Sequence, residues 1–155
     1  AIEALLSGDT KYTAAAGTAD RTAIMNPNTH THIGRDRYRM EVRTANLLLI
    51  ADEPTDNGGT GQGFSAHQLL GASLGACTNA TVRMYADRKE WPLEAIDTEV
   101  VIAHGERSDI TTIRRSIRFT GALDDVQCAR LLQIAERCPV HRALMGTINI
   151  ETELV

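Results

Sequence analysis

Aromatic residues are scarce in this chain: one Trp, three Tyr and two Phe among 155 residues, or 4%. A core must therefore be assembled from Leu, Ile, Val and Ala, each of which buries less area than a ring does. That shortage makes association into a dimer a natural expectation. Cysteines are few as well, and at three they are odd in number, which argues against a secreted disulfide scaffold. No apolar run approaches the roughly 20 residues of a membrane span, and no basic start leads into a hydrophobic signal segment. Excess positive charge is also missing: the net charge is −4, with arginines interspersed among acids as in "YADRKEW". Nucleic acid and anionic membrane are thus disfavoured as main partners, and a cytoplasmic protein is the expectation. The length fits one domain, and 43% hydrophobic residues is an ordinary supply for its core.

Regular patterns begin late. Residues 1–34, with "TAAAGTADRT" and "NPNTHTH", show no sustained period after "IEALL" and read as a loosely ordered arm; 35–155 read as the domain. His30 and His32 have no cysteine or carboxylate cluster beside them, so a solvated loop is expected there rather than a metal site. "YRMEVRT" and "NLLLIA" read as a β-hairpin. "DEPTDNGGTGQG" lacks the spacing and lysine of a phosphate-binding loop and reads as a flexible connector. "SAHQ", Ser65 to Gln68, is a capping box that opens a long helix, expected to end before Trp91–Pro92. "AIDTEVVIAH" and "TTIRRSIRFTG" read as a second hairpin across "ERSD", with Ile113, Ile117 and Phe119 on one face. A second helix is expected from about Asp124 to Cys138, stopped by Pro139. "TINIETELV" reads as a last strand in which Ile148, Ile150 and Leu154 alternate. The order β-β-α-β-β-α-β predicts an α+β fold with a largely antiparallel sheet.

The three cysteines separate by position. Helical spacing puts Leu70, Leu74, Cys77, Thr81 and either Met84 or Tyr85 on one face, so the pattern alone makes Cys77 a core residue. Gly71, Ala72, Gly75 and Ala76 leave little bulk around it. Cys138, at the expected helix end, faces unpaired carbonyls that disfavour a thiolate. It is then poorly suited as a primary nucleophile, yet able to attack a sulfur that is already oxidised. Cys128 lies ten residues earlier on the same expected helix, about 15 Å along its axis and beyond disulfide reach, so it reads as a packing residue. Cys77, Cys138 and His141 give at most three metal ligands and no second close pair, so neither a metal nor another cofactor is expected.

Two stretches, "SLGACTNATVRMYADRKEWPLE" and "LLQIAERCPVHRAL", stand in order with "IADEP", "GGTGQG" and "GALDD". Together they resemble the OsmC/Ohr family, the osmotically inducible and organic hydroperoxide resistance proteins, over about Tyr38 to Val155. The OsmC-like redox protein branch is the nearest. The resemblance implies an OsmC-like fold with two long central helices, curved sheets outside them, and an intertwined homodimer. It also implies a thiol peroxidase at the dimer interface, with Cys77 peroxidatic and Cys138 resolving. Cys77 would reduce an organic hydroperoxide and become a sulfenic acid, and Cys138 would close a Cys77–Cys138 disulfide. A dithiol such as a lipoyl protein, or a small thiol, would then reopen it. Leu70, Leu74 and Met84 would form an apolar substrate pocket. The chain departs from the family where a carboxylate orients an arginine: the matching position is Gln68, and "GRDR" makes Arg35 the candidate arginine, with Arg37 and Arg39 open. The neutral Gln68 motivates an alternative, a non-catalytic or weakly active thiol sensor or small-molecule binding dimer on the same scaffold.

Overall fold

In the computed structural model, which describes residues 28–104 and 111–154, the first sheet begins earlier than the sequence pattern announces. Strands β1 (His30–Ile33), β2 (Met40–Thr44) and β3 (Leu47–Ala51) form an antiparallel meander in that order. β2 and β3 are the expected hairpin. β1 corrects the loop expected at His30 and His32: its four residues are exposed, so its ladder to β2 holds it, with His30 opposite Arg43 and Ile33 opposite Met40. The rest of the expected N-terminal arm, 1–27, lies outside the described residues.

The glycine-rich stretch after β3 is a built loop around one carboxylate, which corrects its reading as a slack connector. Asp52 is 1% exposed. It accepts from the amides of Glu53 at 2.8 Å, Thr60 at 3.0 Å, Gln62 at 3.3 Å and Tyr38 at 3.4 Å, and from the Thr60 hydroxyl. These donors, the Thr60 hydroxyl foremost, hold the Asp52 carboxyl down at about 2. Gly59 is required by the tightness of the wrap, because a Cβ there would stand 2.0 Å from the Glu53 carbonyl oxygen. Phe64 then returns to the sheet, its amide donating to Ile50 and its carbonyl accepting from Asp52.

Helix α1 (Ala66–Arg88) starts at Ser65 with both halves of the expected capping box formed. Its buried stripe is Gly71, Leu74, Gly75, Thr78, Val82 and Ala86. This stripe is rotated from the expected face: Leu70 is 38% and Met84 64% exposed, and Cys77 lies at its border. The small residues admit strand β4 (Leu93–His104), so that a Cβ on Gly71 or Gly75 would only touch Val100 at 3.6 and 3.8 Å. The helix stops at Arg88, earlier than Pro92 requires, in a Schellman arrangement. The Trp91 amide donates to the Ala86 carbonyl and the Glu90 amide to that of Asp87, each at 3.0 Å. Glu90 occupies the left-handed position with φ 54°, where a side chain costs free energy that glycine does not. Glu90→Gly is therefore expected to stabilise the fold by about 0.5–1 kcal/mol, read as a rise of roughly 2 °C in melting temperature.

Strand β5 (Thr111–Gly121) pairs antiparallel with β4 as expected, from His104 opposite Thr111 to Leu93 opposite Gly121. The turn expected at "ERSD" lies outside the described residues. Helix α2 (Asp125–Ala135) opens on a second capping box, Asp124 with Gln127, and α3 (Pro139–Met145) follows. Thus α2 ends before Cys138, and Pro139 starts a helix as well as stopping one: its fixed φ and missing N–H suit a first helical position. Val82, Ala86, Leu93, Leu131, Ile134 and Ala135 form the core between α1, α2 and the sheet. The expected last strand does not form. Ile148 is 57%, Ile150 85% and Leu154 101% exposed, and residues 147–154 pair with neither sheet within the chain. The fold is α+β with antiparallel sheets, ordered β-β-β-α-β-β-α-α.

Candidate redox site

Helices α1 and α3 bring the two predicted cysteines together. Cys77 is half-buried midway along α1, and Cys138 is fully buried in the link between α2 and α3. Their thiols are near enough for that of Cys138 to act on the ionisation of Cys77, and both are free, as is Cys128 on α2. Cys138 is the N-cap of α3: its sulfur accepts from the His141 amide at 3.2 Å. The sequence placed this residue at the negative end of a helix, and the structure places it at the positive end of the next. Pro139 has no amide proton to offer, so the first two orphan donors of α3 serve the two sulfurs, Val140 toward Cys77 and His141 toward Cys138. Position at a helix end therefore does not separate the roles of the cysteines. Exposure does: Cys77 is partly open, whereas Cys138 has no accessible surface.

Burial pushes the Cys77 thiol above its ordinary range. The Val140 amide and the Thr81 hydroxyl pull the other way, and the neighbouring Cys138 thiol adds to the upward push. No arginine is among these principal influences. Arg35 is exposed in the bend after β1, as is Arg37, and Arg39 faces Glu41 at 3.9 Å. Gln68 stands nine residues before Cys77, about 13.5 Å along the helix, and its side-chain oxygen caps the Ser65 amide at 2.9 Å. Within one chain, then, neither Gln68 nor Arg35 is brought to the thiols. Among the described residues no group of three or more His, Cys, Asp or Glu is placed to hold a metal ion.

Two residues that the sequence did not single out stand beside Cys138. Thr78 is fully buried, and its hydroxyl bonds the Leu74 carbonyl at 2.7 Å with the Cys138 sulfur 3.9 Å away. Arg115 on β5 donates through Nη1 to the Thr78 oxygen at 2.8 Å and to the Ala135 carbonyl at 3.2 Å. The signal was present in the strand alternation, which sets Arg115 between Ile113 and Ile117 on the covered face. Arg115 also lines a cavity of about 400 Å³ with Leu74, Leu132, His141 and Met145. Leu74 alone of the expected pocket residues belongs to it. The small residues Gly71, Ala72, Gly75 and Ala76 border a separate groove of about 500 Å³ against β4.

The family model for OsmC-like proteins matches residues 59–153. No curated protein matches the chain. Among solved structures, the chain is similar to an osmotic stress induced and detoxification response protein from Psychrobacter arcticus, at 26% identity and TM-score 0.66, covering 76% of this chain and 87% of that one. It is similar to an organic hydroperoxide resistance protein OsmC from Legionella pneumophila at 25% identity and TM-score 0.62, over 80% and 92%. With the organic hydroperoxide resistance protein OhrB of Bacillus subtilis it shares the fold, at 21% identity and TM-score 0.57 over 80% and 93%.

Proposed function

We propose, because the chain belongs to the OsmC-like protein family, that it reduces organic hydroperoxides with the thiols of Cys77 and Cys138. The observation that carries this reading is the contact between a half-open and a fully buried thiol, each facing a backbone donor of α3. The Cys77 thiolate attacks the distal peroxide oxygen, the O–O bond breaks, and the alcohol leaves with a proton, so that Cys77 becomes a sulfenic acid. Cys138 then attacks the Cys77 sulfur, water departs, and a disulfide remains for a dithiol such as a lipoyl protein, or a small thiol, to reduce.

The working unit in this reading is a cytoplasmic homodimer. Exposed Leu47, Leu48, Phe64, Ile148 and Ile150 and two sheets with open edges support it, since a second copy would cover them. The dimer also supplies what one chain lacks, an arginine such as Arg35 reaching the partner's Cys77, with Gln68 in the place of a carboxylate. The test is intact-mass analysis after one equivalent of alkyl hydroperoxide. A loss of about 2 Da, mapped to a Cys77–Cys138 link, is expected; oxygen added at Cys128 alone, or no change, would sink the proposal.

One observation favours a second reading, the weakly active thiol sensor or small-molecule binding dimer. Burial works against ionisation of Cys77, and the neutral Gln68 weakens any arginine network that would offset it.

A further inference from the structure

We propose that Arg115 and Thr78 are positioning residues for Cys138, holding its sulfur ready for the step that closes the Cys77–Cys138 disulfide; the catalytic setting rests on the thiol peroxidase reading above. Cys138 must act as a nucleophile from a site with no accessible surface, where an unsupported thiolate is costly. The surroundings supply that support in two layers. The His141 amide faces the sulfur directly at 3.2 Å. On another side stands the Thr78 hydroxyl, with one proton to give and two lone pairs to receive.

While Cys138 is a thiol, the Thr78 proton lies on the Leu74 carbonyl at 2.7 Å, and one of its lone pairs receives Arg115 Nη1 at 2.8 Å. When Cys138 releases its proton, the Thr78 hydroxyl turns from Leu74 to the sulfur, 3.9 Å away at rest. The guanidinium stays on the Thr78 oxygen throughout, polarising the O–H toward the new negative charge. Arg115 is fixed for this task by its second bond, to the carbonyl of Ala135 that ends α2, three residues before Cys138. One cation on β5 thereby ties α1 and the end of α2 around a single sulfur. The titratable side chains that line the adjoining cavity with it are Glu136 and His141.

The step balances within the pair. The Cys138 thiolate attacks the sulfur of Cys77 sulfenic acid and the S–O bond breaks. The departing hydroxide takes up the proton Cys138 released, giving water and the disulfide. The hydroperoxide has already supplied the oxidising equivalents.

Single-turnover experiments on the full chain test the assignment. After one equivalent of alkyl hydroperoxide, Thr78→Val and Arg115→Met should close the disulfide at least about tenfold more slowly than the parent chain. Cys77 sulfenic acid should accumulate and be captured by dimedone. Thr78→Ser and Arg115→Lys, which keep the hydroxyl and the cation, should recover most of the rate. A second arm needs no hydroperoxide: an aromatic disulfide reagent first labels Cys77, releasing one coloured thiolate, and attack by Cys138 releases the second. Slowing of that second release in Thr78→Val and Arg115→Met, with recovery in the conservative variants, upholds the assignment. A second release at the parental rate overturns it, as does equal slowing in the conservative variants, which marks a merely structural role. If the parent chain shows a normal second release but the hydroperoxide produces neither the disulfide in the parent chain nor Cys77 sulfenic acid in the slowed variants, the peroxidase reading fails and the positioning of Cys138 stands.

Discussion

Cys77→Ser is expected to abolish consumption of an alkyl hydroperoxide, lowering the rate by about three orders of magnitude or more. A serine hydroxyl at this site keeps the shape and loses the ionisable sulfur on which both oxygen transfer and disulfide closure depend. Full retention of activity in stopped-flow measurements would remove the proposed mechanism at its first step. The pH dependence sharpens the test. Burial pushes the Cys77 thiol upward, so with only its own chain around it the thiolate fraction, and the attack rate, climb as pH rises through and beyond the ordinary thiol range. An arginine contributed by a partner subunit works in the opposite direction and moves that climb to lower pH. Alkylation of Cys77 followed against pH separates the cases. An inflection well below the free-thiol value of about 8.5 accords with the peroxidase, and one at or above it accords with the weakly reactive sensor.

The sequence made most of this scaffold legible where local chemistry decides local structure. Ser65 with Gln68 marked the start of α1 because both halves of the capping box lie within four consecutive residues. The two hairpins were visible because their strands alternate. What escaped was set by neighbours distant in sequence. The β1 residues "HTHI" are all exposed, and the ladder to β2 makes them a strand. "TINIETELV" has the alternation of a strand, yet its residues 147–154 pair with neither sheet of their own chain. At Cys138 the ambiguity lay in proline, which ends one helix through its missing N–H and ring bulk and suits the start of another through its fixed φ; the first reading puts the wrong dipole end beside the sulfur. Arg115 escaped because "RRSIRF" reads as surface charge until its period-two face is followed, and then it is the cation between two buried-side isoleucines. The chemistry of Cys77 was legible chiefly through resemblance, since helical spacing by itself favours an ordinary core thiol.

Asp52→Ala is expected to produce a large loss of stability at a place well away from the cysteine site. The alanine leaves the Glu53, Thr60 and Gln62 amides and the Thr60 hydroxyl aimed at an empty position in the loop that feeds α1. Unpaired inward-facing donors of this kind lower the melting temperature by roughly 5 °C or more at neutral pH. Asp52→Asn recovers only part of the loss, because its amide nitrogen donates where the loop supplies donors of its own. The acid dependence follows from linkage. The folded state holds the carboxyl at about 2, below its ordinary 3.8, so its contribution is fully present above about pH 4 and drains away as the pH falls through about 2. Calorimetry of the parent chain and Asp52→Asn should therefore show melting temperatures well separated near pH 7 and converging in that window. A separation that stays constant down to about pH 2 would mean the Asp52 charge does not hold the loop. The function should suffer indirectly: the loop ends in the Phe64 pairing to β3 and the Ser65 cap, so its loss frees the entry to α1 while leaving the Cys77–Cys138 contact, built from α1 and α3, chemically intact.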